Sequence, residues 1–363
     1  MIRRCLSWLF VIVLGFGTVN AMAQSPIATD LAGRKVSAPF DPQRIVCLGP
    51  GTLRLIVYLQ AEKKVVGVEA LEKNFPRGRP YWIAHPELTA LPTCGPGGVA
   101  AINSKPDLET ILKLAPEVIF ATYMDADLAD DVQALLGIPV VVLSYGDFST
   151  FDEVVYDALR IAATFLNRVN RAEAVIQSIE NWRADLSRRT KDIPMKKRPR
   201  AYVGGIGFRN VQGIESTQRH YPPLDWVHAN NLAASIENNA GSHVVVAKEM
   251  LLKLDPAFIF IDGGGLSLVS GDVARKPAYY RALTAFSKRR VYVLHPFNWY
   301  VTNIDTALTN AYAAGKILYP DRFKDIDPEK KADEIYTELV GRPAYKEMKA
   351  DYGLIGRVAP FVD

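Results

Sequence analysis

The sequence predicts an α/β protein built as two Rossmann-like lobes joined by one long spine helix, with a ligand cleft between the lobes. Three observations carry this. First, Glu109-Thr-Ile-Leu-Lys-Leu-Ala-Pro-Glu-Val-Ile-Phe-Ala121 returns as Glu249-Met-Leu-Leu-Lys-Leu-Asp-Pro-Ala-Phe-Ile-Phe-Ile261, with seven of thirteen positions identical and 140 residues between the copies. Each copy reads as two helical turns, a Pro that ends them, and an apolar strand, which is half of an α/β unit. Second, Arg44 to Leu48 reads as a strand, Gly49-Pro50-Gly51 as a tight loop, Thr52 to Leu59 as a helix and Val65 to Val68 as a second strand. Strand, glycine loop, helix and strand in that order call for a parallel sheet. Third, no Pro or Gly occurs from Thr150 to Thr190, and apolar residues fall at 151, 154, 155, 158, 159, 162, 165, 166 and 169. That 3.6-residue stripe predicts a single helix of about 40 residues bridging the lobes.

The remaining elements follow in order. Residues 1–23 read as a secretory signal peptide: Arg3 and Arg4 give the positive end, Leu6 to Val19 the apolar stretch, and Ala21-Met22-Ala23 the cleavage site, so export with cleavage after Ala23 is expected. Residues 24–149 form the N-terminal lobe. In it Ser104 or Asp107 caps the first repeat helix, and a helix at Asp127 to Leu136 and a strand at Pro139 to Leu143 follow. The spine occupies 150–191. Residues 192–363 form the C-terminal lobe. It opens with a strand at Ala201 to Gly205 and continues with a helix at Leu224 to Ala234, the second repeat and a strand at Arg290 to His295. Helices at Thr306 to Leu318 and Glu329 to Val340 close it, before a tail at 341–363.

Composition narrows the function. The net charge of +4, or +2 without Arg3 and Arg4, is scattered rather than striped, which argues against a nucleic-acid partner. Beyond the signal, no segment offers about 18 continuous apolar residues. Cys47 and Cys94 could pair in an oxidising compartment or stand as buried thiols. No phosphate loop, dinucleotide fingerprint or nucleophile elbow is present. His85, His220, His228, His243 and His295 show no metal-ligand spacing, so no metal site, cofactor or catalytic residue is expected.

Aromatic and cationic residues cluster instead where loops follow strands, the place where open α/β sheets bind ligands. Tyr123 and Tyr145 follow strands of the first lobe; Arg209, Arg219, Tyr221, Trp299 and Tyr300 fall in loops of the second. Arginine offers fixed charge and bidentate geometry for an oxyanion, and tyrosine and tryptophan offer flat walls. Gly51 and Thr52 open a helix whose backbone N–H groups could face an anion.

This order of elements resembles the periplasmic binding proteins that serve ABC importers of ferric siderophores, haem and cobalamin. The residues that carry the resemblance are Arg44-Ile-Val-Cys-Leu-Gly-Pro, Val65-Val-Gly-Val and the two Glu-x6-Pro segments. It implies a periplasmic, monomeric, non-catalytic protein that delivers a small anionic metal-containing ligand to a membrane permease. It also implies that Glu109 and Glu249, which open the two repeats, dock onto permease arginines. Two departures bear on the ligand. Many members carry Thr-Glu where this chain has Leu53-Arg54, and Pro296-Phe-Asn-Trp-Tyr300 looks like a subgroup for iron complexes, similar to relatives that carry molybdate or tungstate. The expected solute is an iron complex, with molybdate or tungstate as the alternative. A secreted α/β hydrolase or lyase is the alternative from another class.

Overall fold

The computed structural model describes residues 25–148, 150–207, 210–236 and 241–362, so the signal-peptide reading lies outside the described residues. Strands β1 (Ile27–Thr29) and β2 (Lys35–Ser37) form a small antiparallel pair ahead of the first lobe. The lobe's sheet is parallel, with β3 (Ile45–Leu48), β4 (Val65–Gly67), β5 (Val118–Thr122) and β6 (Val140–Leu143) in the order β4-β3-β5-β6. The second lobe repeats the plan. Its β7 (Arg200–Gly204), β9 (Asn230–Asn231), β11 (Phe258–Asp262) and β12 (Val291–Leu294) run β12-β11-β7-β9, again all parallel. Between them, β8 (Ser216–Gln218) and β10 (His243–Val245) make an antiparallel pair.

The sequence repeat is a structural repeat. Helices Leu108–Leu114 and Lys248–Leu254 each end at a residue in the left-handed region, Ala115 at φ 43° and Asp255 at φ 37°. The following Pro cannot continue a helix, so the chain turns into the strand. Asp107 caps the first copy by accepting from the Thr110 N–H at 3.1 Å; Ala247 holds the same place in the second and has no side chain to do so.

Side chains along each strand point alternately to its two faces, and the core divides accordingly. Ile45 and Cys47 face one apolar cluster, Val46 and Leu48 another. The cluster holding Ile45 and Cys47 also takes Ala201, Val203 and Phe260 from the second lobe and continues through the Ile304–Leu318 helix, buried on all sides from Ile304 to Gly315. The lobes therefore share one core across this helix. Cys47 and Cys94 are both buried free thiols, in different clusters.

Three expectations change. The spine is not one helix but two, Val154–Leu166 and Val169–Thr190. Asn167 adopts φ 55°, and the Arg168 N–H closes back on the Ala163 carbonyl at 2.9 Å. Asparagine is tolerated in the left-handed region that usually demands glycine, so a stretch without Gly or Pro still breaks. The two helices then fold back antiparallel, tied by Arg160 to Glu173 (2.8 Å) and Arg183 to Glu153 (3.1 Å). The helix expected at Leu224 to Ala234 stops at Asp225. His228 sits at φ 49° and its carbonyl accepts from the Tyr319 hydroxyl, after which β9 begins. The tail becomes a helix, Tyr345–Tyr352, and then an edge cover: Gly356, Arg357 and Ala359 exchange backbone hydrogen bonds with Val291 and Val293, closing the open side of β12.

Candidate functional site

In a parallel sheet of this order the chain leaves β3 toward β4 on one side and returns to β5 on the other. The crevice between the carboxyl ends of β3 and β5 is thus the switch point at which such sheets bind ligands. A cavity of about 50 Å³ sits there. Its floor is Leu48, Gly49, Ala121 and Thr122; its walls are Glu69, Cys94 to Gly97 and Ala101 to Pro106. Gly97 and Gly98 both have positive φ, 66° and 90°, and a Cβ on Gly97 would stand 2.9 Å from that of Glu69. Glycine is what lets this loop close down on the carboxylate.

Glu69 is 6% exposed. One carboxyl oxygen accepts from the Gly49 N–H at 3.0 Å and the other from the Tyr300 hydroxyl at 2.5 Å. Burial pushes this carboxyl up to about 7; the hydrogen bonds from Tyr300 and Gly49 resist the rise, and nearby Glu72 adds to it. The Tyr300 hydroxyl in turn accepts from the Gly98 N–H at 3.0 Å. Through Tyr300, lobe two thus holds a carboxylate that lines a lobe-one cavity.

Arg54 holds that tyrosine's loop in place. Its guanidinium is fully buried and donates to the carbonyls of Thr302 (2.9 Å), Tyr300 (3.1 Å) and Trp299 (3.2 Å). The Tyr81 and Tyr145 rings flank it at 4.9 and 5.6 Å. Tyr300 and Val301 both stand at positive φ, 55° and 58°, a conformation that persists only where surroundings over-determine it. One helical turn on, the Tyr58 hydroxyl donates to Asp305 at 2.9 Å. The departure from the family's Thr-Glu pattern at Leu53-Arg54 is therefore an inter-lobe brace.

The structure brings some expected site residues together and disperses others. Tyr300 does not line the cavity but bonds Glu69, which does. Trp299, beside it, is 40% exposed and stands edge-on to Phe75 at 5.8 Å. Tyr123 is half-buried, stacked on Phe148 at 4.3 Å, and donates to the Gly146 carbonyl. Gly51, Thr52 and Tyr145 are packed beneath the cavity rather than lining it. Tyr145 donates to the Gly51 carbonyl at 2.9 Å, a Cβ on Gly51 would meet the Tyr145 ring, and the Thr52 hydroxyl bonds Leu48 and Thr122. Tyr221 is wholly buried against Phe297, its hydroxyl without a hydrogen-bond partner among the described residues. Arg219 is half-buried just past β8, where its N–H bonds the Ser242 carbonyl. Arg209 lies outside the described residues. Sequence reasoning missed Glu69, although it stands at the carboxyl end of a strand, and it missed the run Gly95-Pro96-Gly97-Gly98. Among the described residues no cluster of His, Cys, Asp and Glu could hold a metal ion, and no helix is long and apolar enough to cross a membrane.

A family model described as periplasmic binding protein matches residues 45–296, both sheets included. The chain belongs to the periplasmic binding protein family. Across 365 aligned residues it is 24% identical to the molybdate-binding protein MolA of Haemophilus influenzae, covering 94% of this chain and 97% of that one. The structure of MolA bound to molybdate superposes with a TM-score of 0.68 at 22% identity, over 88% of this chain and 98% of that one. The same fold recurs in the TroA-like periplasmic binding protein FepB of Veillonella parvula (TM-score 0.63, 18% identity, 87% and 96% covered). It recurs again in the periplasmic heme-binding protein HutB of Vibrio cholerae (TM-score 0.56, 18% identity, 77% and 99% covered). The resemblance read from the sequence holds. These relatives are solute-binding proteins, not enzymes, which sets the hydrolase or lyase reading aside.

Proposed function

We propose that this chain is the periplasmic solute-binding component of an ABC importer, and that its solute is a small tetrahedral oxyanion of the molybdate or tungstate kind. The size of the switch-point cavity carries the choice. Pockets for drug-sized ligands run to roughly 300–1,000 Å³, and haem or a ferric chelate needs space of that order. A cavity of about 50 Å³ admits a few waters or one compact oxyanion. This moves the reading from the iron complex that the sequence favoured to its alternative. The likeness to a molybdate-binding protein along almost the whole chain supports the same choice.

The lining suits the task. Lys105 supplies charge and the glycine loop supplies backbone N–H groups, while the Thr122 and Ser104 hydroxyls and the Asn103 amide, which donate to Pro50, Ala101 and Asp125, would reach a ligand only by exchanging those partners. Trp299, edge-on to Phe75, and Tyr123, stacked on Phe148, do not line the cavity. In this reading residues 1–23 are removed after Ala23 on export, and the mature protein acts as a monomer. Glu109 and Glu249 are the permease contacts: both are exposed in the first turn of matched helices.

Calorimetry of the mature protein with molybdate, tungstate, sulfate, haem and a ferric chelate tests the solute. Molybdate or tungstate should stabilise the fold by about 4 kcal/mol at 1,000-fold excess over its dissociation constant. Binding of haem or the chelate with no response to either oxyanion would overturn the assignment.

A further inference from the structure

The cavity proposed to take a dianion contains a buried carboxyl group. A carboxylate is acceptor-only, and its charge repels an anion at contact. The neutral acid, in contrast, is a donor. Resting on the oxyanion reading above, we propose that Glu69 makes capture proton-coupled: a fully deprotonated oxyanion enters only when Glu69 carries a proton, which Glu69 then donates in a hydrogen bond to a ligand oxygen. The proton comes from solvent on binding and returns to solvent on release, and no covalent bond changes. With Glu69 ionised, the site accepts instead only an oxyanion that brings its own O–H, such as hydrogen phosphate.

The geometry isolates this proton on Glu69. From the second lobe it faces the Tyr300 hydroxyl, and from the β3 end the Gly49 N–H. Glu72, the next acid along the same segment, is turned away and held by Arg79 and the Tyr81 hydroxyl. The thiols of Cys47 and Cys94 stand close enough to couple to Glu69, but burial pushes both far above neutrality, Cys94 to about 12. Lys105 lines the cavity from the opposite loop. The Glu69 carboxyl at about 7 is thus poised to change state in the neutral range. The first lobe's sheet offers the Gly49 N–H a carboxylate where the corresponding N–H of the second lobe, on Gly205, bonds the carbonyl of Gly213 at 3.0 Å. A backbone acceptor would serve the fold as well, so the acid answers a need other than folding.

The test is molybdate titration of the mature protein between about pH 6 and about pH 9, in buffers of different ionisation enthalpy to count protons. Molybdate stays a dianion throughout. Wild type should take up one proton per molybdate at the alkaline end and lose about tenfold in affinity per pH unit above the Glu69 transition. In Glu69→Gln, whose neutral amide donates at every pH, both effects should vanish. In Tyr300→Phe, which removes a donor to the ionised form, the transition should move to higher pH. Wild-type affinity that is flat with pH, or a slope that survives unmoved in both variants, would overturn the proton coupling and leave the oxyanion reading intact. No molybdate binding by wild type even at about pH 6 would overturn the reading itself, and this inference with it.

Discussion

The two lobes share one blueprint and use its switch point in opposite ways. By strand register Leu48 stands beside Ala121 as Gly204 stands beside Ile261, so Gly49 corresponds to Gly205 and Thr122 to Asp262. The correspondence extends to the backbone, since Gly49 has φ 81° and Gly205 φ 77°. In lobe one Thr122 donates to the Pro50 carbonyl at 2.8 Å, and a cavity stays open beside it. In lobe two the same crevice is filled: the backbone of Gly265 lies against that of Gly205, so closely that a Cβ on Gly265 would overlap it. There Asp262 is 4% exposed and accepts from the Gly264 N–H at 2.9 Å. A repeated fold therefore does not imply a repeated site. The strands fix where a pocket can form, and the loops that follow decide whether it does.

The largest expected effect lies on the brace between the lobes. Arg54→Met would orphan three carbonyls of the 299–302 loop and release the left-handed pair Tyr300–Val301. Loss of one partner of a buried charged network costs about 3–5 kcal/mol. Urea unfolding should show a fall at the upper end of that range, and as Tyr300 leaves Glu69 the pH transition of oxyanion affinity should move upward, as in Tyr300→Phe. A change below about 1 kcal/mol would mean that the shared core alone joins the lobes.

The filled switch point comes next. Burial pushes the Asp262 carboxyl up to about 7. A carboxyl raised on folding gives stability that is complete below its unfolded value near 4 and is lost as the pH rises through 7. For Asp262 the span amounts to about 4 kcal/mol, and Glu69 in lobe one acts in the same direction with about 3 kcal/mol. Wild type should accordingly unfold at higher urea near pH 5 than near pH 8. Asp262→Asn, which keeps an acceptor for Gly264, should remove the larger part of that difference. A pH dependence untouched by Asp262→Asn would show that this acid is already ionised and solvated in the fold.

How much of this was legible in the sequence follows from which interactions are local. Helix, Pro and strand are set by neighbours in the chain, so the repeat and both lobes could be read directly. The break at Asn167 could not, because its apolar stripe runs on through the turn: each helix of the hairpin buries a face, and the stripe does not record that the chain has reversed. The site was legible as a place, the ends of strands, but not as a set of side chains. Tyr145 and Tyr221 sit at strand ends and in loops as expected, yet neighbours far away in sequence bury them. Glu69 acquires its meaning from Tyr300, 231 residues later. Arg54 is likewise held by partners far away in the sequence, three backbone carbonyls and the Tyr145 hydroxyl.

The smallest effect concerns the faces that do repeat. Glu109, Leu112 and Lys113 of the first lobe are matched by Glu249, Leu252 and Lys253 of the second, and all six are exposed. Packing explains why buried Ile111 and Leu251 recur. Helix capping explains an acid in the first turn and a lysine in the last. Neither accounts for a leucine 51% exposed in one lobe and 37% in the other, and these leucines share the face of the proposed permease contacts Glu109 and Glu249. Glu109→Ala and Glu249→Ala should then weaken transport in a reconstituted permease system by similar amounts, about 1 kcal/mol each in docking, and leave solute affinity unchanged. Leu112→Ser and Leu252→Ser should act in the same equal-handed way. A loss confined to one lobe would break the correspondence on this outer face, as the cavity already breaks it on the inner one.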